Sequence, residues 1–203
     1  MTGSVLIVSG PSGAGKSSLI KEILNHIPNA VFSVSVTTRK QRKGETCGVN
    51  YLFTDKKSFQ KDIDGGLFLE WANVHGNFYG TSIEQITQSL KNGKLVVLDI
   101  DVQGYMIAKE KLEKFITSVF VTTKDKASLK NRLISRQADT KETIDTRVEN
   151  AKKEMAFINE YEYLIINDDF NAARDAILSI AASAAHKRAL TDKDEFILRW
   201  LKN

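Results

Sequence analysis

A glycine-rich segment near the amino terminus constrains this chain more than any other part of its sequence. Residues 10–17 read GPSGAGKS, which fits the pattern G-x-x-x-x-G-K-[ST]. The apolar run VLIV at 5–8 precedes this segment, and apolar residues at helical spacing follow it from Ser17 to Leu24. The order predicts a buried strand, a tight loop and a helix, a context that a chance match in a glycine-rich turn would not have.

The same segment has the composition of a phosphate-binding loop. Glycines permit unusual backbone dihedrals and let the chain come close to oxygen atoms. Successive N–H groups then form an anion nest, and the start of the helix adds its positive dipole end. We therefore expect Lys16 to reach the β- and γ-phosphates of a nucleoside triphosphate, and Ser17 to ligate Mg²⁺.

Three further apolar runs extend this pattern to an α/β fold. They lie at 95–98, 118–121 and 163–166, and helical patterns separate them. Continuous apolar runs are typical of strands buried on both faces of a parallel sheet. Alternating strands and helices predict an α/β fold with helices covering both faces of that sheet.

The pattern of apolar, charged and glycine residues changes in two parts of the sequence. Between residues 32 and 83, short alternating segments punctuated by glycines indicate an inserted lobe. Residues 124–154 are strongly charged and helical, with an apolar stripe formed by Ile144, Val148, Ala151 and Met155. This segment is either a mobile lid or a plain amphipathic helix pair, and periodicity alone favours the plain pair. The core is expected at 1–31, 84–123 and 155–203.

The inserted lobe contains a basic segment that suits a phosphate. Arg39 and Arg42 are three residues apart and can fork around one phosphate, since planar guanidinium donors match its oxygens bidentately. Tyr51 can add a hydroxyl donor. For residues 39–43 taken alone, a solvated basic turn is the slightly favoured interpretation.

Glu70 has the chemistry of a base-recognising carboxylate. It stands among large apolar residues at 68–71, where a carboxylate is costly unless it finds donors. Guanine offers two donors in line, and adenine presents no such pair. A salt bridge at a strand edge is the alternative.

Asp99 and Asp101 end the apolar run at 95–98. Ligands bind at the carboxyl ends of strands in α/β sheets, and Asp99 occupies the position that orients Mg²⁺ or its waters in proteins with this kind of loop. The alternative is that the two aspartates cap the strand end.

Together these segments resemble the guanylate kinase family, which passes phosphate from ATP to GMP. The resemblance runs from Val5 to about Asp169 and rests on GPSGAGKSS, SVSVTTRKQRKGE with Gly48 and Tyr51, LEWANVHGNFYGT, LDIDVQG and INDD. It implies a P-loop nucleotide kinase with a central parallel sheet, an inserted mixed β lobe at 32–83 that binds GMP, and a helical lid at 124–154. It also implies Mg²⁺ as cofactor, GMP and dGMP as acceptors, and a place in purine nucleotide metabolism.

The resemblance also assigns roles residue by residue. ATP binding falls to the loop and to a position near adenine, namely Gly10, Pro11, Ser12, Gly13, Ala14, Gly15, Lys16, Ser17, Ser18 and Asn167. GMP binding falls to Ser35, Glu70 and Thr81 at the base, to Arg39, Arg42, Tyr51 and Tyr79 at the phosphate, and to Glu45, Asp99 and Asp101. The catalytic set implied is Lys16, Arg39, Asp99, Arg132, Arg136 and Arg147. The chain departs from the family at Gln41 and Lys43, where prolines are frequent.

Two other functions fit parts of this pattern. A guanylate kinase-like domain that binds phosphorylated proteins usually lacks an intact phosphate loop, whereas this chain keeps Lys16 and Ser17. A related kinase with another phosphorylated acceptor is disfavoured by Glu70 together with Ser35.

The composition of the chain limits the cellular compartment and the kinds of partner that we expect. The single cysteine, Cys47, makes a disulfide within the chain impossible, which fits a reducing compartment. The first apolar run is too short for a signal peptide, and no apolar stretch approaches the roughly 20 residues that span a bilayer. We therefore expect a cytoplasmic protein without nucleic-acid or membrane partners. The apolar residues of segment 192–203 predict packing on the core, with a dimer contact as the alternative, so monomer and homodimer both stay open.

Overall fold

The computed structural model describes residues 2–42, 44–74, 76–135 and 140–187, together with Ile197, Trp200 and Leu201. Its strands are β1 (Ser4–Ser9), β2 (Ala30–Phe32), β3 (Val36–Thr37), β4 (Leu52–Phe53), β5 (Phe68–Val74), β6 (Asn77–Ser82), β7 (Leu95–Asp99), β8 (Ile116–Thr122) and β9 (Tyr163–Ile166). Its α-helices are α1 (Lys16–His26), α2 (Lys56–Asp64), α3 (Ile83–Lys91), α4 (Val102–Leu112), α5 (Lys126–Ser135), α6 (Lys141–Met155) and α7 (Phe170–Ala184).

The central sheet has five strands in the order β2-β7-β1-β8-β9, and every pairing within it is parallel. The four apolar runs predicted as strands correspond to β1, β7, β8 and β9, so the predicted α/β class is confirmed. The prediction of burial holds for β1, β7 and β8 but is wrong for β9, which lies at the sheet edge and buries only Ile165. The edge strand β2 was not predicted within this sheet. Its last residue, Phe32, falls within the lobe predicted at 32–83 but belongs to the central sheet.

Two hydrophobic layers cover the central sheet. Alternate residues of β1 point to opposite faces, so Leu6 and Val8 pack with α1 and α7, whereas Val5 and Ile7 pack with α3 and α4. All four side chains are fully buried. This double burial explains why the strand reads as a continuous apolar run.

A second sheet of four strands, in the order β4-β3-β6-β5, forms the inserted lobe. It is mixed, as predicted, because β3 pairs parallel with β4 and antiparallel with β6. Helix α2, which was not predicted, packs on this sheet through the fully buried Phe59, whose ring stacks on Phe68 and Phe78.

The predicted charged helices are α5 and α6, and they share a small core of their own. Ile144, Val148 and Ala151 are buried there against Leu129 and Leu133 of α5. The fourth member of the predicted stripe, Met155, is 41% exposed. Its sulfur accepts a hydrogen bond from Thr122 at the end of β8.

Two predictions fall wholly or partly on residues that the structure does not describe. Arg136 lies outside the described residues, as does most of segment 192–203. Within that segment Ile197, Trp200 and Leu201 are helical and 50–71% exposed, so the expected packing on the core does not hold for these three side chains.

Candidate functional site at the carboxyl ends of the central strands

The phosphate loop leaves β1 at Gly10 and ends where α1 begins. Gly10 has φ of 129°, and a Cβ atom there would lie 2.0 Å from the carbonyl oxygen of Val121. Gly15 has φ of 95°, and a Cβ atom there would lie 2.3 Å from the side-chain nitrogen of Asn167. Side chains are therefore excluded at both positions by conformation and by space.

The amino terminus of α1 differs from those of the other helices. Acceptor side chains cap α2, α3, α4, α6 and α7, supplied by Asp55, Ser82, Asp101, Thr140 and Asp169. No side chain among the described residues caps α1, which follows Gly15 and starts at Lys16. The first amides of a helix need acceptors, and together with the dipole they make this end of α1 suited to an anion.

Lys16 curls back over the loop. Its ammonium donates to the carbonyl oxygen of Gly10 at 2.6 Å and lies 3.9 Å from a carboxylate oxygen of Asp99. Asp99 ends β7, the strand beside β1, so parallel pairing brings both groups to the same edge of the sheet. Burial raises the pKa of Asp99, and the charge of Lys16 partly offsets that rise.

Three side chains from distant parts of the chain hold the loop from the other side. The buried amide of Asn167 donates to the carbonyl oxygen of Ala14 at 2.8 Å. Arg132 donates to the carbonyl oxygen of Asn167 at 2.6 Å, and Arg147 donates to the hydroxyl of Ser12 at 2.6 Å. The two arginines come from α5 and α6, so this helix pair lies against the phosphate loop, which favours the lid over a plain helix pair.

A cavity of about 340 Å³ opens beside the loop. Its lining includes Lys16, Ser17, Asp99 and Asp101, and also Glu154 of α6, which the sequence analysis missed. Burial raises the pKa of Glu154, Lys16 lowers it, and Asp101 raises it further. Glu154 lies seven residues after Arg147 and so shares its helix face. That spacing from a predicted catalytic arginine was the signal available in the sequence.

In the lobe, the structure brings together three of the four predicted phosphate contacts, Arg39, Tyr51 and Tyr79, and the predicted acid Glu45. Arg39 and Glu45 form two hydrogen bonds of 2.7 and 3.1 Å, and the guanidinium carbon lies 5.2 Å from the ring centre of Tyr51. The rings of Tyr51 and Tyr79 meet edge to face at 5.8 Å. The Arg39 side chain is only 13% exposed, which argues against a solvated basic turn at this position.

Charge is balanced within this cluster. Glu45 raises the pKa of Arg39, and Arg39 in turn lowers the pKa of Glu45, with help from the backbone N–H of Arg42. The pKa of the Tyr51 hydroxyl is raised mainly by burial, while Arg39 lowers it and the charge of Asp99 raises it.

Glu70 and Thr81 form a second pair in the lobe. They are direct partners across β5 and β6, and the Thr81 hydroxyl donates to a carboxylate oxygen of Glu70. Burial raises the pKa of Glu70, the bond from Thr81 opposes this rise, and the charge of Asp101 adds to it. The carboxylate is thus held by a neutral donor, and no cation among the described residues forms a salt bridge with it.

The remaining predicted residues are less constrained. Ser17 and Ser18 are exposed on the first turn of α1, and Arg42 is exposed at the rim of the lobe. Ser35 is half-buried, and its carbonyl oxygen accepts from Leu52. Asp101 does cap α4, because one of its oxygens accepts the N–H of Gly104 at 2.8 Å. Asp101 thus caps the helix that follows β7, and not the strand end as the alternative had it.

The fold and this loop define a P-loop nucleotide-binding protein of the α/β class. A family model described as guanylate kinase matches residues 2–184, and the chain belongs to the guanylate kinase family. It is 48% identical to a guanylate kinase of Helicobacter hepaticus over 198 residues, which cover 98% of each chain. It is 50% identical to a guanylate kinase of Campylobacter jejuni over 188 residues, 92% of this chain and 91% of the relative.

A solved structure is similar over almost the whole chain. The crystal structure of guanylate kinase from Anaplasma phagocytophilum superposes with a TM-score of 0.77 at 29% identity, covering 97% of this chain and 93% of that one. The resemblance inferred from the motifs is thereby confirmed. None of the helices that the structure describes has the length and apolar character of a membrane span.

Proposed function

We propose that this chain transfers the γ-phosphoryl group of ATP to GMP, giving ADP and GDP. The observation that supports this most is that the phosphate loop and the hydrogen-bonded pair of Glu70 and Thr81 are linked through the start of α4. Asp101 lines the loop cavity together with Lys16, and it accepts the N–H of Gly104, the residue against which the Glu70 carboxylate lies. The membership of the chain in the guanylate kinase family supports the same reaction.

On the donor side, ATP would place its phosphates on the loop from Gly10 to Ser18. The Lys16 ammonium now bonds a loop carbonyl, and it would exchange that bond for phosphate oxygens, which are stronger acceptors for a cation. Asn167 fixes the carbonyl of Ala14 and so keeps the loop in shape beneath the nucleotide. Its position at the end of β9 suits a contact near adenine.

On the acceptor side, Glu70 would take the two in-line donors of guanine. A carboxylate has about four acceptor positions, and Thr81 uses one of them, so both oxygens keep capacity for the base. Ser35 would add a further contact to the base. Adenine offers no such pair of donors, and we therefore expect GMP to be preferred over AMP.

The GMP phosphate would lie against Arg39, Arg42, Tyr51 and Tyr79. Glu45 forms an ion pair with the Arg39 guanidinium and so fixes the direction of its two-nitrogen fork. When a phosphate arrives, this fork would share its donors between Glu45 and the phosphate oxygens. The contacts proposed above are made to the base and to the phosphate. Because GMP and dGMP differ only in the sugar, we extend the proposal to dGMP.

The transfer itself would be an in-line displacement at the γ-phosphorus without a covalent enzyme intermediate. Two anionic substrates repel each other, and Lys16, Arg39, Arg132 and Arg147 would offset that repulsion and stabilise charge on the moving group. Arg132 and Arg147 already bond the loop or its neighbour, so closure of α5 and α6 would bring them onto the phosphates and exclude water. Arg136 belongs to the same proposal by its sequence position.

The donor set of the cavity fits Mg²⁺. The hydroxyl of Ser17 and the carboxylates of Asp99, Asp101 and Glu154 are hard oxygen ligands, which this ion prefers. The described residues form no cage of three or more acidic, histidine or cysteine side chains, and Mg²⁺ in kinases typically keeps waters and substrate phosphates as ligands. Ser17 would hold the ion directly and Asp99 would orient its waters. Bound there, Mg²⁺ would neutralise charge on the triphosphate.

The remaining proposals concern organisation. A core of 1–31, 84–123 and 155–203, a GMP-binding lobe of 32–83 and a lid of 124–154 would form a single functional domain. A cytoplasmic location and a monomeric or homodimeric state go with this proposal, supported by the single cysteine and the apolar tail.

Product analysis tests the reaction. The chain is incubated with Mg-ATP and GMP, and ADP and GDP are quantified separately, with Lys16→Met as the control. The proposal predicts equal amounts of ADP and GDP, and a loss of both in the control. ADP without GDP would indicate hydrolysis and would contradict the transfer; neither product, with intact ATP binding, would favour a binding module.

A further inference from the structure

An irregularity in β5 sets the direction in which the Glu70 carboxylate points. Phe68 pairs with Ser82 and Glu70 pairs with Thr81, so Leu69 is an extra residue opposite no partner. Such a β-bulge bends a strand and re-aims the side chains around it. Here Leu69 is fully buried in the core cluster that contains Tyr105 and Ala108 of α4, and Glu70 also faces α4. The bulge thus turns two consecutive side chains toward the same helix.

Helix α4 meets the bulge at a point where only glycine fits easily. A Cβ atom at Gly104 would lie 3.1 Å from Glu70 Oε2, 3.3 Å from its Cδ and 3.4 Å from its Cγ. The three nearest atoms to that position therefore all belong to the Glu70 side chain. Gly104 is buried and lies in the helix without an unusual φ, so space, and not backbone conformation, is what a side chain would violate.

A second contact fixes the backbone of the bulge. The ammonium of Lys111, near the carboxyl end of α4, donates to the carbonyl oxygen of Leu69 at 2.6 Å. Its charge also lowers the pKa of Glu70, opposing the effects of burial and of Asp101. Helix α4 thus makes two contacts with β5: Gly104 lies against the Glu70 carboxylate, and Lys111 bonds the backbone of the preceding residue, Leu69.

We infer that Gly104 and Lys111 are positioning residues for base selection: helix α4 sets where the Glu70 carboxylate stands against guanine. The inference rests on the proposed function, since it presumes that Glu70 reads the base. Helix α4 would also connect the two substrate sites, because its capping residue, Asp101, lies beside the phosphate loop. The position of the base would then be fixed relative to the phosphates through one rigid element.

The test compares variants that differ only in these contacts. Gly104→Ala adds a methyl group against Glu70, and Lys111→Met removes the ammonium while Lys111→Arg retains a donor. Lys109→Met is the matched control, because Lys109 is on the same helix but bonds Glu160 instead of the lobe. For each protein the KM and kcat with GMP and with IMP, the KM for ATP and the melting temperature are measured. IMP lacks the exocyclic amine and so offers Glu70 one donor instead of two.

For Gly104→Ala we expect the GMP KM to rise about threefold to tenfold, the range that weakening of one hydrogen bond gives. The ATP KM should change less than twofold, and the preference for GMP over IMP should fall. The melting temperature should stay or rise, because alanine favours a helix more than glycine does. Lys111→Met should shift the GMP KM in the same direction, Lys111→Arg should restore it, and Lys109→Met should leave it unchanged.

Two results would overturn the inference, and they are distinguishable from failure of the proposed function. An unchanged GMP KM and GMP-to-IMP ratio in both Gly104→Ala and Lys111→Met would show that α4 does not position Glu70. Equal losses for GMP and ATP would show a merely structural role. If Gly104→Ala does not fold, the Lys111 variants decide by the same criteria. If the unmodified chain fails to phosphorylate GMP, the proposed function falls and this inference falls with it.

Discussion

Replacing Glu70 by glutamine tests base recognition with almost no change in shape. The variant keeps one oxygen, which can still accept from Thr81, and replaces the other by an amide N–H₂ group. One guanine donor then meets a donor in place of an acceptor. A hydrogen bond to a charged group is worth about 1.5–3 kcal/mol, and a buried donor left unpaired costs about 1–3 kcal/mol.

Because these two contributions overlap, we expect a loss of about 2–4 kcal/mol in GMP binding. At 1.4 kcal/mol for each factor of ten, this corresponds to an increase in the GMP KM of about 30- to 700-fold. The ATP KM should change less than twofold, since Glu70 lies in the lobe and the ATP phosphates would lie on the loop. Initial rates of ADP formation, with each substrate varied in turn, give both constants.

The pKa of Glu70 supplies an independent readout. Burial raises this pKa above its ordinary value of 4.5, so the folded protein keeps the proton to higher pH than the unfolded chain does. Ionised Glu70 therefore lowers the free energy of unfolding as pH rises from 4.5 through the raised pKa. GMP needs the ionised form, so GMP affinity should weaken as pH falls through the same window. Glu70→Gln should show neither trend and should be at least as stable at pH 7.

Equal loss of ATP and GMP affinity in Glu70→Gln would refute this reasoning. So would a marked fall in melting temperature at pH 7, because a structural defect would then explain the kinetics.

Three further predictions concern the lobe, the loop and the cysteine. Phe59→Ala should lower the free energy of unfolding by about 3–5 kcal/mol, because this ring is fully buried between two others; denaturant unfolding that shows less than 1 kcal/mol would contradict the account of the lobe core. Asn167→Ala should raise the ATP KM about fivefold or more and leave the GMP KM within twofold, since the carbonyl of Ala14 loses its nearer donor and keeps only Arg132 at 3.4 Å; a larger effect on GMP would contradict this placement. Cys47→Ser should retain full kcat, because the thiol is exposed and has no role in the transfer, and a loss beyond twofold would show otherwise.

The sequence predicted the buried parts of the fold better than its edges. The strands β1, β7 and β8 could be identified because burial on both faces requires continuous apolar runs, whereas the apolar run of β9 lies at the sheet edge with only Ile165 buried. Strand β2 has only three residues, all half-buried, and leaves no such run. Helix α2 places one buried residue, Phe59, among charged and polar neighbours, so its periodicity is faint. Asp55, which caps that helix with bonds to two backbone N–H groups, was the missed signal.

For the candidate site, the sequence indicated which residues matter and left their partners open. The loop, Arg39 and Tyr51 were found from local sequence patterns, and Glu45 was found only through the resemblance to the family. Contacts such as Gly104 with Glu70 join positions far apart in the chain, and no local pattern encodes them. The bulge at Leu69 belongs to the same group, because strand register depends on how β5 and β6 meet.

The most direct test of the central claim is a comparison of acceptors. ADP formation from Mg-ATP is measured with GMP, AMP, CMP and UMP offered separately at equal concentration. The account predicts activity with GMP alone, because Glu70 accepts two in-line donors that the other bases do not present together. Equal activity with AMP would contradict the assignment of Glu70, and activity with none of the four would contradict the proposed reaction.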